Sequence, residues 1–358
     1  MTNIAASHSW FSGVGKYRFK TILAIALFWT SIDIISVFLL KTGTTRSPFN
    51  SIVLRELAVL IMSGIMGYLF VYTLRNVFRG HSIFMNFLFK SFVLLFAAFL
   101  MNFIVHSVDY VFINGKGLSQ AFQYFMSEFQ NVRTLLQKIL YWLVLFMITQ
   151  LWIEINEKYS PGVFLDIITG KYIQPQNEKR IVMFIDLIDS TPIAEKLGHE
   201  ENFRLIRDFI NDVSLALIEH NGRIYQYVGD EIVVSWKCEK VNVRKCMSAI
   251  IEARRNIQKN GENYRRRYNI VPEFRAGIHV GEVTVGEIGV IKKDLAMSGD
   301  TMNTTARIRT ACNEFNQKFI ISGDFKDLSD LKDWQGESLG VIELKGKANS
   351  IELFVLKI

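Results

Sequence analysis

At 358 residues the chain has room for two domains. Half its residues are hydrophobic and 28 are Phe, heavy for one soluble domain. The formal charge of +7 sits entirely in residues 1–160, which hold 13 Lys/Arg against 6 Asp/Glu, while residues 161–358 hold 28 of each. That placement fits membrane topology and argues against nucleic acid as a partner.

Four apolar segments predict membrane spans over 21–40, 57–74, 83–105 and 137–155, so residues 1–158 are expected to form a four-helix transmembrane α module with the lipid bilayer as its partner. The first segment is bounded by Lys20 and Lys41, and the second is followed by Arg75 and Arg79. The third is interrupted only by Lys90, which can snorkel to the interface. The fourth is short for a hydrocarbon core of about 30 Å. No small-residue cleavage site follows the first segment, so a signal peptide is not expected. Positive charge in the N-terminal tail and in the loop between spans two and three places both termini in the cytosol. The expectation is a multi-pass protein of the cell inner membrane. Leu118, Phe122, Phe125, Phe129, Val132 and Leu136 form a heptad-like stripe, predicting a helix that runs into the fourth span, packed on a partner helix or lying on the membrane surface. Asp33 lies inside the first span, where an ionisable group is costly; Arg55 is a candidate partner.

Residues 159–179 read as a coupling linker, opened by the turn signal Ser160-Pro161-Gly162. From 180 to 358 strands and helices alternate. Ile181–Ile185 is a continuous apolar run, expected as a buried strand in a sheet covered on one or both faces, with Asp186 at its far end and Ser190 as N-cap of a helix starting near Thr191. A helix over Glu201–Asn221 follows, then a hairpin of Arg223–Tyr227 and Ile232–Trp236 through Gly229-Asp230. Next come a long charged helix over Asn242–Tyr268 and a second hairpin of Phe274–Val280 and Val283–Gly286 turning at Gly281. A helix over Thr301–Ala311 and strands at Phe319–Ser322, Val341–Lys345 and Leu353–Leu356 complete an α+β, ferredoxin-like palm. Cys238, Cys246 and Cys312 are odd in number, lack metal-ligand spacing and read as reduced cytosolic thiols.

The chemistry gathers at the strand ends. If the first strand and the first hairpin are neighbours, Asp186 and Asp230 meet over one sheet edge, and two carboxylates with triphosphate oxygens make a two-metal site for Mg²⁺ or Mn²⁺. The turn Ile188, Asp189, Ser190 and Thr191 offers backbone N–H groups to phosphate. Asn303 and Arg307, at i and i+4, share one helix face. An always-protonated planar guanidinium suits transition-state phosphate charge. Lys345 can reach a terminal phosphate. Each signal is weak alone; their order together is strong.

Those residues carry a resemblance. Phe184-x-Asp186 with Ser190-Thr191, Tyr227-Val228-Gly229-Asp230, Arg275 through Gly281, Gly299-Asp300-Thr301-Met302-Asn303-x-x-x-Arg307 and Leu344-Lys345-Gly346 resemble the class III adenylate/guanylate cyclases, and Ile224–Glu231 resembles their membrane-anchored bacterial members. The resemblance implies a head-to-tail homodimer with sites built across the interface. It implies two metals on Asp186 and Asp230, a phosphate on Arg275, transition-state stabilisation by Asn303 and Arg307 of the other subunit, and Lys345 on the terminal phosphate. The implied reaction turns ATP, with GTP as a secondary substrate, into a 3′,5′-cyclic nucleotide and pyrophosphate. Gln226 and Ala296 fall at the base-reading positions, where the family carries Lys and Asp or Thr. Gln226 can still donate and accept; Ala296 offers nothing polar. Asp189 adds negative charge to the phosphate turn. Two other readings stay open: a degenerate cyclase domain that binds nucleotide or dimerises, and a diguanylate cyclase.

Overall fold

The computed structural model describes residues 13–40, 49–74, 115, 117–129, 132–158, 166, 169–290, 294–329, 331, 336–343 and 350–358, with scattered positions between 85 and 111. The chain divides into two compact units, the first running to Lys158 and the second from Tyr159 to Ile358.

The first unit is helical: α1 (Gly13–Leu40), α2 (Phe49–Tyr68) continuing as a π-helix over Leu69–Leu74, α3 (Leu118–Phe129) and α4 (Val132–Lys158). Ile25, Trp29, Met66, Leu145 and Phe146 form its core. Trp29 Nε1 donates to Thr149 Oγ1 at 2.8 Å, so the one polar atom of that buried indole is satisfied. Among the described residues one stretch, Arg18–Ser36, is long and apolar enough to cross a membrane, with mean hydropathy 1.6 over its 19 residues; Ile139–Ile153 is a shorter apolar helix. The expectation of four spans therefore reduces to one qualifying helix. The second expected span runs from α2 into the π-helix that continues it, and most of the third lies outside the described residues. In the heptad-like stripe Phe125 is fully buried, while Leu118, Phe122, Val132 and Leu136 are exposed. Asp33 is buried in α1, and the Arg55 side chain is outside the described residues.

The second unit is an eight-stranded mixed sheet with helices on both faces. Its elements are β1 (Gln176–Leu187), α5 (Ser190–Glu219), β2 (Arg223–Val228), β3 (Glu231–Lys237), α6 (Lys240–Lys259), α7 (Gly261–Tyr268), β4 (Phe274–Ile288), β5 (Asp294–Ser298), α8 (Asp300–Glu314), β6 (Phe319–Ser322), α9 (Gly323–Leu328), β7 (Gly336–Ile342) and β8 (Ile351–Leu356). The spatial order is β2-β3-β1-β4-β6-β8-β7, with β5 paired to β4; β4 and β6 run parallel and the other pairs antiparallel. The run from β1 through α5, β2, β3, α6 and α7 to β4 is the ferredoxin-like palm expected from the sequence.

Strand alternation explains why β1 is apolar from Ile181 to Ile185. Ile181, Met183, Ile185 and Leu187 pack under Leu205, Phe209 and Val213 of α5 and Cys246 and Ile250 of α6. Val182 and Phe184 point the other way, into a cluster with Val283, Val285 and Met302. A strand covered on both faces has no place for a polar residue until its end, and each fully buried aliphatic contributes about 1.5–3 kcal/mol. Within the segment expected as linker, Tyr172 is fully buried in that second cluster and Asp166 accepts a hydrogen bond from Arg223 at 2.9 Å. Cys246 and Cys312 are buried free thiols; burial pushes both up, Cys312 to about 12, so neither is a ready nucleophile.

Three expectations need correction. The strand expected over Val341–Lys345 lies earlier, as β7 (Gly336–Ile342). No hairpin turns at Gly281: β4 is one 15-residue strand pairing with β1 from Leu187↔Phe274 to Gln176↔Val285. Its glycines admit α8 instead. A Cβ on Gly281 would meet Thr301 Oγ1 at 2.3 Å, and one on Gly277 would meet the Arg309 backbone N at 2.4 Å. The helix N-cap is Asp189, not Ser190, which is the first helical residue. Asp189 adopts φ 56°, ψ 34°, a left-handed conformation that Asp tolerates better than most residues.

Candidate active site

The register of β1 assembles the site. Ile185 faces Ile232 of β3, which places the turn Gly229-Asp230 beside the end of β1, and on the other side Asp186 faces Arg275 of β4. Val228 pairs with Glu231, so the turn is two residues long, and Gly229 takes φ 62°, which a side chain would strain. Asp186 lies on the same face of β1 as Val182 and Phe184, the face that α8 covers.

Burial pushes the Asp186 carboxyl from 3.8 up to about 6, against the pull of Arg309 and with the Asp230 and Glu231 carboxylates adding to the rise. Arg309 Nη1 lies 3.3 Å from Asp186 Oδ2, and its Nη2 and Nε donate to Glu231 Oε2 at 2.9 and 3.1 Å. Asp230 Oδ2 is buried with no hydrogen-bond partner. A buried carboxylate oxygen without a donor is costly unless a cation joins it. Two adjoining carboxylates, one with an orphaned oxygen, therefore fit a divalent cation. Among the described residues no group of three or more His, Cys, Asp or Glu is gathered for a metal. Remaining ligands for a hard cation are then oxygens of backbone, water or substrate phosphate.

Other expected residues fall around this pair. Ile188 N–H donates to Glu273 O at 2.8 Å and is engaged in the sheet end. Pro192 has no N–H, and Ile193 N–H donates to Asp189 O at 3.0 Å. The N–H groups of Ser190 and Thr191 are thus the first-turn donors facing outward from α5. Arg275 donates to Asn313 Oδ1 near the same sheet end. Asn303 and Arg307 are exposed on α8, on a different face from Arg309, which makes that helix's contact with Asp186. The chain does not bring Asn303 or Arg307 to its own carboxylates. Gln226 is exposed beside a bulge in β2, and Ala296 is half-buried in β5. Met297 N–H donates to Tyr225 O–H at 2.8 Å, so Gln226 and Ala296 each lie one residue from a bond that ties β2 to β5. Lys345 lies outside the described residues.

Arg309 and Glu231 escaped the sequence reading. One signal was present: Arg307 and Arg309 are two apart on a helix, about 200° around its axis, so both cannot face solvent.

The fold of the second unit is the one the resemblance implied, and the chain belongs to the adenylate and guanylate cyclase catalytic-domain family, whose profile matches residues 173–357. It is 31% identical over 206 residues to adenylate cyclase 2 of Rhizobium meliloti (strain 1021), covering 57% of each chain. It is 26% identical over 182 residues to adenylate cyclase 1 of the same organism, covering 48% of this chain and 26% of that one. The chain thus spans little more than half the length of these relatives at most. A solved bacterial light-regulated adenylyl cyclase shares the fold, with TM-score 0.52 and 17% identity over 60% of this chain and 64% of that one.

Proposed function

We propose that this chain is a membrane-anchored purine nucleotide cyclase that converts ATP to 3′,5′-cyclic AMP and pyrophosphate in a homodimer. The observation that carries the reading is the Asp186–Asp230 pair at one sheet end, with Asp230 Oδ2 buried and unpartnered, inside a domain of the cyclase family. The similarity to two proteins named adenylate cyclase supports ATP as the substrate.

Asp186 and Asp230 would hold two divalent cations, Mg²⁺ or Mn²⁺, which supply Lewis-acid polarisation of the ribose hydroxyl and the phosphate oxygens. The Ser190 and Thr191 N–H groups and Arg275 orient the triphosphate beside the carboxylates. The ribose 3′-oxygen bonds to the α-phosphorus, the bond to the β-phosphate bridging oxygen breaks, and the hydroxyl proton leaves with solvent or pyrophosphate. Charge building on the α-phosphate is met by the Arg307 guanidinium and the Asn303 amide of a second copy. Their exposure on α8, away from their own carboxylates, supports a site completed by that copy. Lys345 holds the terminal phosphate. The first unit is the anchor: Leu23, Leu27, Ile35, Leu140 and Leu151 are exposed apolar residues on α1 and α4, suited to lipid contact. Its excess of positive charge keeps both termini and the catalytic unit in the cytosol, at the inner membrane.

Incubating the purified chain in lipid nanodiscs with ATP or GTP and Mg²⁺ or Mn²⁺, then identifying the product, tests the reading. Cyclic AMP with pyrophosphate is expected. A cyclic dinucleotide, or nucleotide binding without turnover, would replace it with one of the two other readings.

A further inference from the structure

We propose that Arg309 is a built-in counter-cation of the carboxylate site, which a divalent metal ion must displace from Asp186 before it binds; this rests on the reading of Asp186 and Asp230 as metal ligands. The guanidinium reaches Asp186 Oδ2 at 3.3 Å and bonds twice to Glu231 Oε2, at 2.9 and 3.1 Å. It engages an Asp186 oxygen that a bound cation would also require.

Three features make Arg309 a competitor and not a mere neighbour. First, its charge is permanent, because a guanidinium does not deprotonate in proteins, so it cannot yield by losing a proton as a lysine can. Second, its backbone is fixed. Helix α8 sits so close to β4 that a Cβ on Gly277 would lie 2.4 Å from Arg309 N and 2.8 Å from its Cα. Only the side chain can move. Third, the move has a destination. The two bonds to Glu231 are shorter than the contact to Asp186, so the guanidinium can release Asp186 while Glu231 keeps its charge compensated. Glu231 is the resting partner and Asp186 the contested one.

Charge decides the direction. Asp186, Asp230 and Glu231 gather three negative charges, and Arg309 offsets one. A metal ion entering the pair meets a weaker field and a fixed positive charge a few ångströms away. Loss of that charge should tighten metal binding by about fivefold or more, taking a screened interaction near a protein surface. Triphosphate adds negative charge and shifts the balance towards the metal, so nucleotide and metal should enter together.

The test is direct Mn²⁺ binding to the full chain without nucleotide, read from the electron paramagnetic resonance signal of free Mn²⁺. Asp186→Asn should abolish binding, and Arg309→Gln and Arg309→Met, the latter keeping the aliphatic bulk, should each lower the Mn²⁺ Kd at least about fivefold. Arg309→Lys should lie between wild type and Gln. Unchanged or weaker binding in both neutral variants, with binding still lost in Asp186→Asn, overturns the role of Arg309 and leaves the metal site standing. Binding indifferent to Asp186→Asn overturns the site itself. Should neither neutral variant fold, the wild-type chain decides. Mg²⁺ should shift the Arg309 Nε–H nuclear magnetic resonance signal, and a signal that stays in place through the titration overturns the proposal.

Discussion

One face of β1 carries charge at both ends, in opposite conditions. At its start Glu178 and Arg180 share the face with Val182 and Phe184; at its finish the same face ends on Asp186. Burial alone would push Glu178 up, but bonds from Lys171 and Arg180 overcome it and hold the carboxyl at about 2. Lys171 Nζ donates to Glu178 at 2.6 Å, Tyr172 O–H donates at 3.2 Å, and Arg180, which is nearly fully buried, also reaches Ser235 Oγ at 3.4 Å. Both Glu178 carboxylate oxygens have donors. At the other end burial wins: Asp186 rises to about 6 and Asp230 Oδ2 has no partner. The first arrangement is a finished structure. The second is complete only with a ligand, since a half-satisfied carboxylate site costs stability that function has to justify.

The largest expected effect separates the two ends by activity. Asp186→Ala or Asp230→Ala should lower cyclase turnover by several orders of magnitude, because both carboxylates are needed for the metals. In metal-free buffer the thermal midpoint should hold or rise, since a desolvated charge is removed. Near-normal turnover, measured as cyclic nucleotide per minute, would remove the metal assignment.

Assembly is the next way to sharpen the contrast. In the proposed composite site Asp186→Ala and Arg307→Ala should each be inactive, because each would remove a different half. Mixed as monomers in equal amounts, half the dimers are heterodimers with one intact site, so about a quarter of wild-type activity should return. A mixture as inactive as its parts, with heterodimers demonstrated by cross-linking, would argue for self-contained sites.

The satisfied end should respond in stability. Arg180→Met strips Glu178 of one of its two cations in a buried setting and should cost about 3 kcal/mol, read as a shift of the denaturant midpoint. The sign of the pH dependence follows from Glu178. Its folded value of about 2 lies below its ordinary 4.5, so its contribution is present above about pH 4.5 and is lost as pH falls towards 2. Glu178→Gln should lack that acid-side step. A wild-type stability curve that is flat between pH 4.5 and 2 would contradict the network.

How much of this was legible depended on distance along the chain. The apolar run Ile181–Ile185 announced a buried strand, and a carboxylate closing it announced a site, because both are local patterns. Gly281 misled for the same reason. A lone glycine between β-rich runs reads as a turn, yet its use is the approach of Thr301, twenty residues on, which no local rule contains. β5 escaped because Asp294-Leu295-Ala296-Met297-Ser298 has no β-branched or aromatic residue and is a strand only through pairing with β4. Arg309 escaped because its meaning is a contact with Asp186, more than a hundred residues earlier. The site residues visible in advance were those in motifs, and those missed were the ones defined by tertiary contact.

The smallest expected effect concerns the base. Gln226 and Ala296 sit on β2 and β5, each beside the Tyr225–Met297 bond that joins those strands. A pocket discriminates strongly when the wrong substrate leaves its buried polar groups unpaired. Gln226 is exposed and its amide can turn to suit either purine, while Ala296 has no polar group to leave unpaired. Discrimination between ATP and GTP should therefore be about 1–3 kcal/mol or less, with ATP preferred and GTP measurably used. Gln226→Lys with Ala296→Asp should sharpen the preference for ATP, because a donor and an acceptor to adenine return together. Either change alone should do less, since an isolated charge gains neither a partner nor a fixed position. The measurement is the ratio of kcat/KM for the two nucleotides in wild type, both single variants and the double variant. A ratio that does not move in the double variant would show that these two positions do not read the base, and that the β2–β5 contact serves only to hold the sheet edge.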